Sequence, residues 1–225
     1  MTHLTSELNY LKSTLIEMWN LVTDQIVESS EVLLKNDKDL ANEVLANEKR
    51  VDAYELKINM DCENILALQT PVANDLRFIL AVLKITYNLE RIGDYAKSIV
   101  KFVNESEGKF KKREIKETKL QIMFETAVNM LTEALEAFEK EDVKAAKDIF
   151  IRDVKLDKVN KNANTIIAGL ISKKPAAVIN YLNLLSIIHK LERVGDQTKN
   201  ISEEIIFYIE AQVLKHRKKE LGLKK

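Results

Sequence analysis

Four pairs of acidic residues, each pair separated by three positions, are the side chains of this sequence best suited to chemistry. They are Glu48/Asp52, Glu90/Asp94, Asp153/Asp157 and Glu192/Asp196. On an α-helix, residues four apart lie on one face with their Cβ atoms about 5–6 Å apart, so two carboxylates there repel each other. A metal cation converts this repulsion into binding, because carboxylate oxygens are ligands that hard and borderline cations take. The pattern therefore indicates candidate metal sites.

The position of these pairs is more informative than their number. A chain this acidic contains roughly five such pairs by chance, and this one contains six, the other two being Asp24/Glu28 and Asp39/Glu43. Two predicted helical hairpins turn near residues 70 and 174, and each places one pair about 20 residues before its turn and one about 20 residues after it. At about 1.5 Å per residue, both pairs lie roughly 30 Å from the turn. Two acidic pairs are therefore expected at one level in each hairpin.

A solvated face crossed by salt bridges is the alternative interpretation. Three lysines lie one helical turn beyond an acid, in the pairs Asp94/Lys97, Asp196/Lys199 and Asp157/Lys161. Such pairs neutralise a carboxylate and contribute little to stability when exposed. The helical wheel places Glu90 and Asp94 nearly opposite the apolar stripe of their helix. A metal held there is therefore expected on the outer surface, in an open and partly solvated cluster.

Six long helices are predicted to position the acids. Gly and Pro number only 5 and 2, and 46% of the residues are hydrophobic, a composition typical of long helices with few loops. Thr70 and Pro71 predict an N-cap followed by the first helical residue, and Pro175 repeats this signal. The predicted helices span 6–35, 39–68, 71–104, 112–140, 142–172 and 175–218.

The order of these helices follows from an internal repeat. The segment Asn88–Asp94 matches Lys190–Asp196 at an offset of 102 positions, and both contain Leu-Glu-Arg-Ile/Val-Gly-Asp. The predicted fold is therefore all-α, with two tandem antiparallel three-helix bundles related by a pseudo-twofold axis, at 1–106 and 107–225. Gly93 and Gly195 each cost about 1 kcal/mol relative to alanine inside a helix. They indicate either a close contact between helices or space beside the acids. The alternative is that each glycine is an irregularity that the helix tolerates.

Composition and motifs exclude several functional classes. Lys+Arg and Asp+Glu both number 35, so the basic excess of a nucleic-acid-binding protein is absent. Cys62 is the single cysteine, which excludes an intrachain disulfide and fits a reducing compartment. The sequence has neither a stretch of about 18 apolar residues nor a signal peptide. These features predict a cytoplasmic protein that meets membranes only as a peripheral partner. The basic C-terminal residues, His216–Lys219 and Lys224–Lys225, indicate a solvated helix end or a contact with an anionic surface.

No catalytic motif occurs in the sequence. The Glu-x-x-His motif of di-iron bundles is absent at His3, His189 and His216. Neither Gly-x-Ser-x-Gly nor a glycine-rich phosphate loop is present. The chain is therefore predicted not to be an enzyme.

The doubled Leu-Glu-Arg-Ile/Val-Gly-Asp signature, together with the segment Pro71–Ile79, resembles the PhoU family over about residues 6–212. This resemblance implies two three-helix bundles that carry multinuclear iron or zinc clusters on their surface. It implies Glu48, Asp52, Glu90 and Asp94 as ligands of one cluster, and Asp153, Asp157, Glu192 and Asp196 as ligands of the other. Gln197 departs from the pattern, since a histidine often stands there, and Asp75–Arg77 has no counterpart at Asn180–Leu182.

The resemblance also implies a function. It implies a regulator of phosphate uptake and phosphate-starvation signalling that damps phosphate import. Such a protein is a non-enzymatic, metal-binding adaptor between the ATPase subunit of a phosphate transporter and a sensor histidine kinase, and is commonly a homodimer. Two alternatives stay open: an accessory subunit of an ion-coupled phosphate carrier, and a helical scaffold without metal.

Overall fold

The computed structural model describes residues 3–211, and the basic C-terminal residues predicted to meet solvent or an anionic surface lie outside this range. Within residues 3–211 the chain forms seven α-helices, one short 3-10 turn and no β-strand. The helices are α1 His3–Lys35, α2 Lys38–Leu68, α3 Ala73–Glu105, α4 Lys112–Thr118, α5 Leu120–Lys140, α6 Val143–Lys173 and α7 Val178–Glu210, with the 3-10 turn at Pro175–Ala177. The predicted all-α fold is confirmed.

Equivalent caps begin α2 and α6, which occupy equivalent places in the two halves. Asp37 accepts hydrogen bonds from the N–H groups of Asp39 and Leu40 at the start of α2. Asp142 accepts one from the N–H group of Ala145 at the start of α6. Each cap satisfies backbone donors that the first turn of a helix leaves unpaired. The repeat therefore extends from the sequence to the local structure.

The predicted helix over 112–140 is wrong, because it is broken at Lys119. The backbone of Lys119 is left-handed, with a φ of +59°, and separates α4 from α5. The break lets Ile115 of α4 and Leu120 of α5 both turn their side chains into the core. No glycine or proline marks the position, so the helical pattern continues through it in the sequence.

Two other helix boundaries differ from the prediction. Thr70 and Pro71 do not begin α3, because Thr70 has a φ of +48° and therefore lacks the extended backbone of an N-cap. The apolar Val72 takes that position instead. Pro175 opens the 3-10 turn rather than α7. The helix α7 ends at Glu210 because Ala211 is left-handed, and the predicted end at residue 218 lies outside the described residues.

Helices α3 and α7 run antiparallel through the centre of the molecule. Lys84 binds Glu204 with an Nζ–Oε2 distance of 2.9 Å, and the side-chain amides of Asn200 and Asn88 are 3.4 Å apart. Gly93 lies five residues after Asn88 on α3, and Gly195 lies five residues before Asn200 on α7. The antiparallel register therefore brings the two glycines to the same level. The two copies of the repeated motif therefore lie side by side at the pseudo-twofold axis.

One continuous core connects the two halves. Trp19 of α1 and Phe138 of α5 have ring centroids 6.0 Å apart, and Phe78 and Tyr208 complete this aromatic cluster. The indole N–H of Trp19 donates to the carbonyl of Leu131 at 3.1 Å, which links α1 to α5. The division into units 1–106 and 107–225 stays a prediction, because buried side chains of both units share this core.

Candidate metal centres

The first acidic cluster lies between α2 and α3 and contains all four residues predicted for it. Glu48, Asp52, Glu90 and Asp94 are each half-buried. Burial and the nearby charges of Glu48 and Asp94 raise the pKa of Asp52, although Lys97 opposes this. Carboxylates from two helices therefore lie close enough to influence each other's pKa, as the hairpin geometry predicts.

Glu90 is the most perturbed acid of this first cluster. Burial, followed by repulsion from Asp94 and Glu55, raises the pKa of Glu90 from 4.5 to about 7, although Arg91 opposes it. A carboxyl group whose pKa is raised by neighbouring carboxylates loses its proton readily when a metal cation binds, because the cation neutralises the repulsion between them.

Glu55 is a fifth carboxylate that the sequence analysis missed. It lies three residues after Asp52 on the same face of α2, and burial together with Asp52 and Asp94 raises its pKa. The acidic pairs were defined by a spacing of four, although a spacing of three also places residues on one face of a helix. Asn160 stands at the equivalent position of the second half, so the two clusters differ in charge.

The second acidic cluster lies between α6 and α7, and its members differ in burial. Asp157 is exposed and Glu192 is half-buried, whereas the side chain of Asp153 is only 3% exposed. Burial raises the pKa of Asp153 to about 6, and Lys199 limits the rise. Among the described residues, Asp153 Oδ1 has no hydrogen-bond partner. A buried carboxylate oxygen without a partner is costly, and a bound cation removes that cost.

The two clusters lie at the surface, in grooves where the neighbouring helix covers them more than the helical wheel of one helix suggests. The side chain of Glu48 is 14% exposed and that of Glu192 is 20% exposed. The wheel describes one helix alone and ignores the neighbour, which covers the flank of the acidic face. The expected partial solvation holds for every acid of the two clusters except Asp153, which is buried.

Each cluster contains one lysine, and both lysines reach across to the neighbouring helix. Lys97 of α3 binds Glu48 of α2, not Asp94 as its spacing predicts. Lys199 of α7 binds Asp153 of α6 and also Asp196, the latter at 2.8 Å. The predicted pair between Lys161 and Asp157 does not form in residues 3–211. Of the three predicted pairs, Asp196/Lys199 is therefore confirmed, and Asp94/Lys97 is wrong because Lys97 binds Glu48 instead.

Gly195 makes room for the second cluster. A Cβ atom at this position would stand 2.5 Å from Asp153 Oδ1 and 2.6 Å from a methyl group of Leu156. A Cβ atom at Gly93 would meet Gln25 and Val51 at 3.3 Å, which is tight but tolerable. The glycine of the motif therefore permits close helix contact in both halves, and in the second half it also accommodates a carboxylate.

The side chains present fit a carboxylate-bound cation. Each groove offers at least four oxygen-donor groups, and the second contains the unpartnered oxygen of Asp153. In residues 3–211, however, no three His, Cys, Asp or Glu side chains converge closely enough to hold one ion. The lysines occupy the positive position in both grooves, so metal binding requires the acids to approach each other and the lysines to leave.

The cysteine and the histidines of the described region lie outside these grooves. Burial raises the pKa of the Cys62 thiol to about 12, so it stays protonated and poorly nucleophilic. His189 is exposed on α7. His3 contacts Glu7 and Gln69 near the start of α1. In the portion that the structure describes, no helix has both the length and the apolarity that a membrane crossing requires.

The fold and these sites define a class of protein: a tandem pair of three-helix bundles with one acidic groove in each half. The PhoU domain family matches residues 15–103 and again residues 120–205. The chain belongs to the PhoU family.

Relatives and solved structures agree with this assignment. The chain is 33% identical over 206 residues to "Phosphate-specific transport system accessory protein PhoU homolog 1" of Thermotoga maritima, covering 91% of this chain and 88% of that protein. It is 28% identical over 212 residues to the PhoU accessory protein of Escherichia coli, covering 94% and 87%. The crystal structure of PhoU from Pseudomonas aeruginosa has a TM-score of 0.84 at 29% identity, over 92% of this chain and 99% of that one. PhoU from Streptococcus pneumoniae shares the fold, with a TM-score of 0.85 at 24% identity over 94% and 99%.

Proposed function

We propose that this chain is an accessory protein of phosphate transport that regulates phosphate uptake without catalysing a reaction. Its role is that of an adaptor between a phosphate transporter, through the ATPase subunit, and a sensor histidine kinase. The names of its relatives support the link to phosphate transport. The absence of catalytic motifs from the sequence supports a binding role. We further propose that it acts in the cytoplasm as a homodimer.

The acidic grooves give this adaptor a regulatory input. We propose that they bind iron or zinc clusters through Glu48, Asp52, Glu90 and Asp94 in the first half and Asp153, Asp157, Glu192 and Asp196 in the second. The observation that carries this proposal is that two helices bring acidic pairs to one level in both halves. A bound metal would neutralise the repelling carboxylates and hold α2 to α3 and α6 to α7. Metal supply would thereby alter the rigidity and the charge of the surfaces that partners meet.

A retention experiment tests the adaptor role. The tagged full-length chain is incubated with membranes that contain the transporter and the kinase, at high and at low phosphate. We expect the ATPase subunit and the kinase to be retained, and retention to depend on phosphate or on metal. Retention of neither partner under either condition would contradict the proposal.

A matched pair of variants separates the grooves from the general acidity of the surface. The groove variant is E90Q/D94N/E192Q/D196N. The control variant, D24N/E28Q/D39N/E43Q, removes the same number of charges from the two acidic pairs that belong to neither groove. We expect partner retention to change in the groove variant alone. Equal retention by both variants would support the metal-free scaffold.

A further inference from the structure

A positive surface lies at one end of the second half, within the described residues 3–211, and we call it the basic tip. It comprises residues 105–119, which include α4, together with the end of α6 and the start of α7. All of its cationic side chains are exposed, namely Lys109, Lys111, Lys112, Arg113, Lys116, Lys119, Lys173 and Lys174.

Specific contacts hold these segments together as one surface. The Lys173 ammonium lies 3.8 Å from the Glu117 carboxylate, which joins α6 to α4. The Tyr181 hydroxyl donates to Glu114 at 3.1 Å, which joins α7 to α4. The Asn180 side chain accepts from the N–H of Glu107 and donates to its carbonyl, both at 2.9 Å. The cations therefore belong to one face of the fold and not only to one stretch of sequence.

The acids of this region leave the surface positive. Glu114 is engaged by Tyr181 and by the N–H of Lys111, and Glu117 binds Arg113 at 2.6 Å. The other acids are Glu105 and Glu107. Eight cations and four acids give the basic tip a net charge of +4, in a chain whose formal net charge is zero. The basic tip is thus a positive surface.

Exposed apolar side chains border these cations. Val178, Ile179 and Leu182, in the first turns of α7, are 36%, 56% and 44% exposed. Pro175 and Ala176, directly after Lys174, are exposed as well. Apolar side chains beside a group of lysines are typical of surfaces that enter the interfacial region of a bilayer.

The repeat shows that the fold does not require this charge. The positions equivalent to 109–119 in the first half are residues 4–14, where Glu7 and Lys12 are the only charged residues. The first hairpin turn exposes Leu68 and Val72 but contains no cation from residue 68 to 72. Because α3 and α7 are antiparallel, this uncharged turn lies at the opposite end of the molecule. The basic tip is therefore a property of the second half alone.

We propose that the basic tip docks on the anionic surface of a lipid bilayer. Each Lys or Arg near such a surface contributes about 1 kcal/mol, and apolar side chains add to the binding by partial insertion. Seven of the eight cations are lysines, and lysine is depleted in protein interfaces whereas arginine is enriched. A diffuse anionic surface therefore fits better than an acidic protein. The proposal rests on these charges and exposures and not on the proposed role in phosphate transport.

Vesicle co-sedimentation of the full-length protein tests the proposal. The probes are vesicles of equal parts phosphatidylglycerol and phosphatidylcholine, and vesicles of phosphatidylcholine alone. We expect the wild type to bind the anionic vesicles only. The tip variant K109Q/K112Q/K116Q/K174Q should bind them at least about tenfold more weakly. The I179S variant should also bind more weakly, and its deficit should persist at high salt because it removes an apolar contact.

The control variant K144Q/K155Q/K158Q/K161Q removes four exposed lysines along α6, outside the basic tip. It should keep the wild-type affinity within about twofold, and matched thermal unfolding curves establish that all variants are folded. The basic C-terminal residues are present in every variant, so they do not account for a difference. Equal losses of binding in the tip and control variants would overturn the proposal. A wild type that does not bind anionic vesicles would also overturn it, and would favour an acidic protein partner.

Discussion

The Asp153 carboxylate lies directly against the Cα of Gly195, where a Cβ atom would stand 2.5 Å from Oδ1. This contact joins the acid of α6 to the repeated motif of α7. It explains why the motif contains glycine despite a helix-propensity cost of about 1 kcal/mol. The equivalent contact of Gly93 is looser, at 3.3 Å from Gln25 and Val51.

Alanine substitutions at the two glycines should therefore have unequal effects. The Gly195→Ala substitution should lower the free energy of unfolding by about 2 kcal/mol, because the buried Asp153 and Leu156 must shift. The Gly93→Ala substitution should change it by less than about 1 kcal/mol, because the gain in helix propensity offsets a mild contact. Urea denaturation of both variants measures the difference. Equal destabilisation would show that the close contact at Gly195 has no energetic importance.

Replacing the two lysines of the grooves should also have unequal effects. Burial by itself lowers the pKa of Lys199, but its hydrogen bonds to Asp153 and Asp196 outweigh this effect and raise the pKa. Lys199→Met leaves the buried Asp153 without a counter-ion and should destabilise the metal-free protein by about 3 kcal/mol. Lys97→Met should cost about 1 kcal/mol or less, since the ion-pair partner of Lys97 is the half-buried Glu48 and not a buried carboxylate.

Zinc titration of the same variants tests whether the lysines compete with metal. If Lys199 occupies the cation position, zinc should raise the unfolding temperature of Lys199→Met by more than that of the wild type. An equal response of the two proteins to zinc would show that Lys199 does not oppose metal binding. Lys97→Met should also respond to zinc more than the wild type, because Lys97 occupies the positive position of the other groove.

The stability of the metal-free protein should fall as the pH rises from about 4.5 to 7, because of Glu90. The pKa of Glu90 is raised to about 7 by burial and then by Asp94 and Glu55, from an ordinary value of 4.5. Between these values the folded state holds a proton that the unfolded chain has lost, so folding is favoured at the lower pH. Glu90→Gln should weaken this dependence, the remainder coming from other acids such as Asp153, whose pKa is also raised, and the variant should be more stable than the wild type above pH 7.

Urea denaturation in the presence of a chelator, at several values of pH, measures this effect. The variant and the wild type should agree near pH 4, where Glu90 is protonated in both states. A Glu90→Gln variant with the same pH dependence as the wild type would show that Glu90 is not held in a repelling environment.

The sequence predicts the architecture well because its information is local and repeated. The motif at Glu90 and Glu192 recurs, Asp37 and Asp142 cap equivalent helices, and apolar periodicity defines long helices. The break at Lys119 could not be predicted, because a left-handed lysine leaves no trace in composition or periodicity. It exists because Ile115 and Leu120 both reach the core, and that is a tertiary requirement.

The grooves could be predicted only in part, for a similar reason. Spacing identified the eight acids of the four pairs, but it did not show that the side chain of Asp153 is buried or that Lys97 crosses to α2. Those features depend on which helix lies opposite. Glu55 escaped because its spacing to Asp52 is three, although its position on the same face was available from the sequence.

A measurement of metal content shows whether the acidic grooves bind metal. Plasma mass spectrometry is applied to the tag-free wild type, to E90Q/D94N/E192Q/D196N and to the control D24N/E28Q/D39N/E43Q. We expect several iron or zinc atoms per chain in the wild type and the control, and a loss of metal in a groove variant that is still folded. No metal in any of the three proteins, even after incubation with iron or zinc, would contradict it.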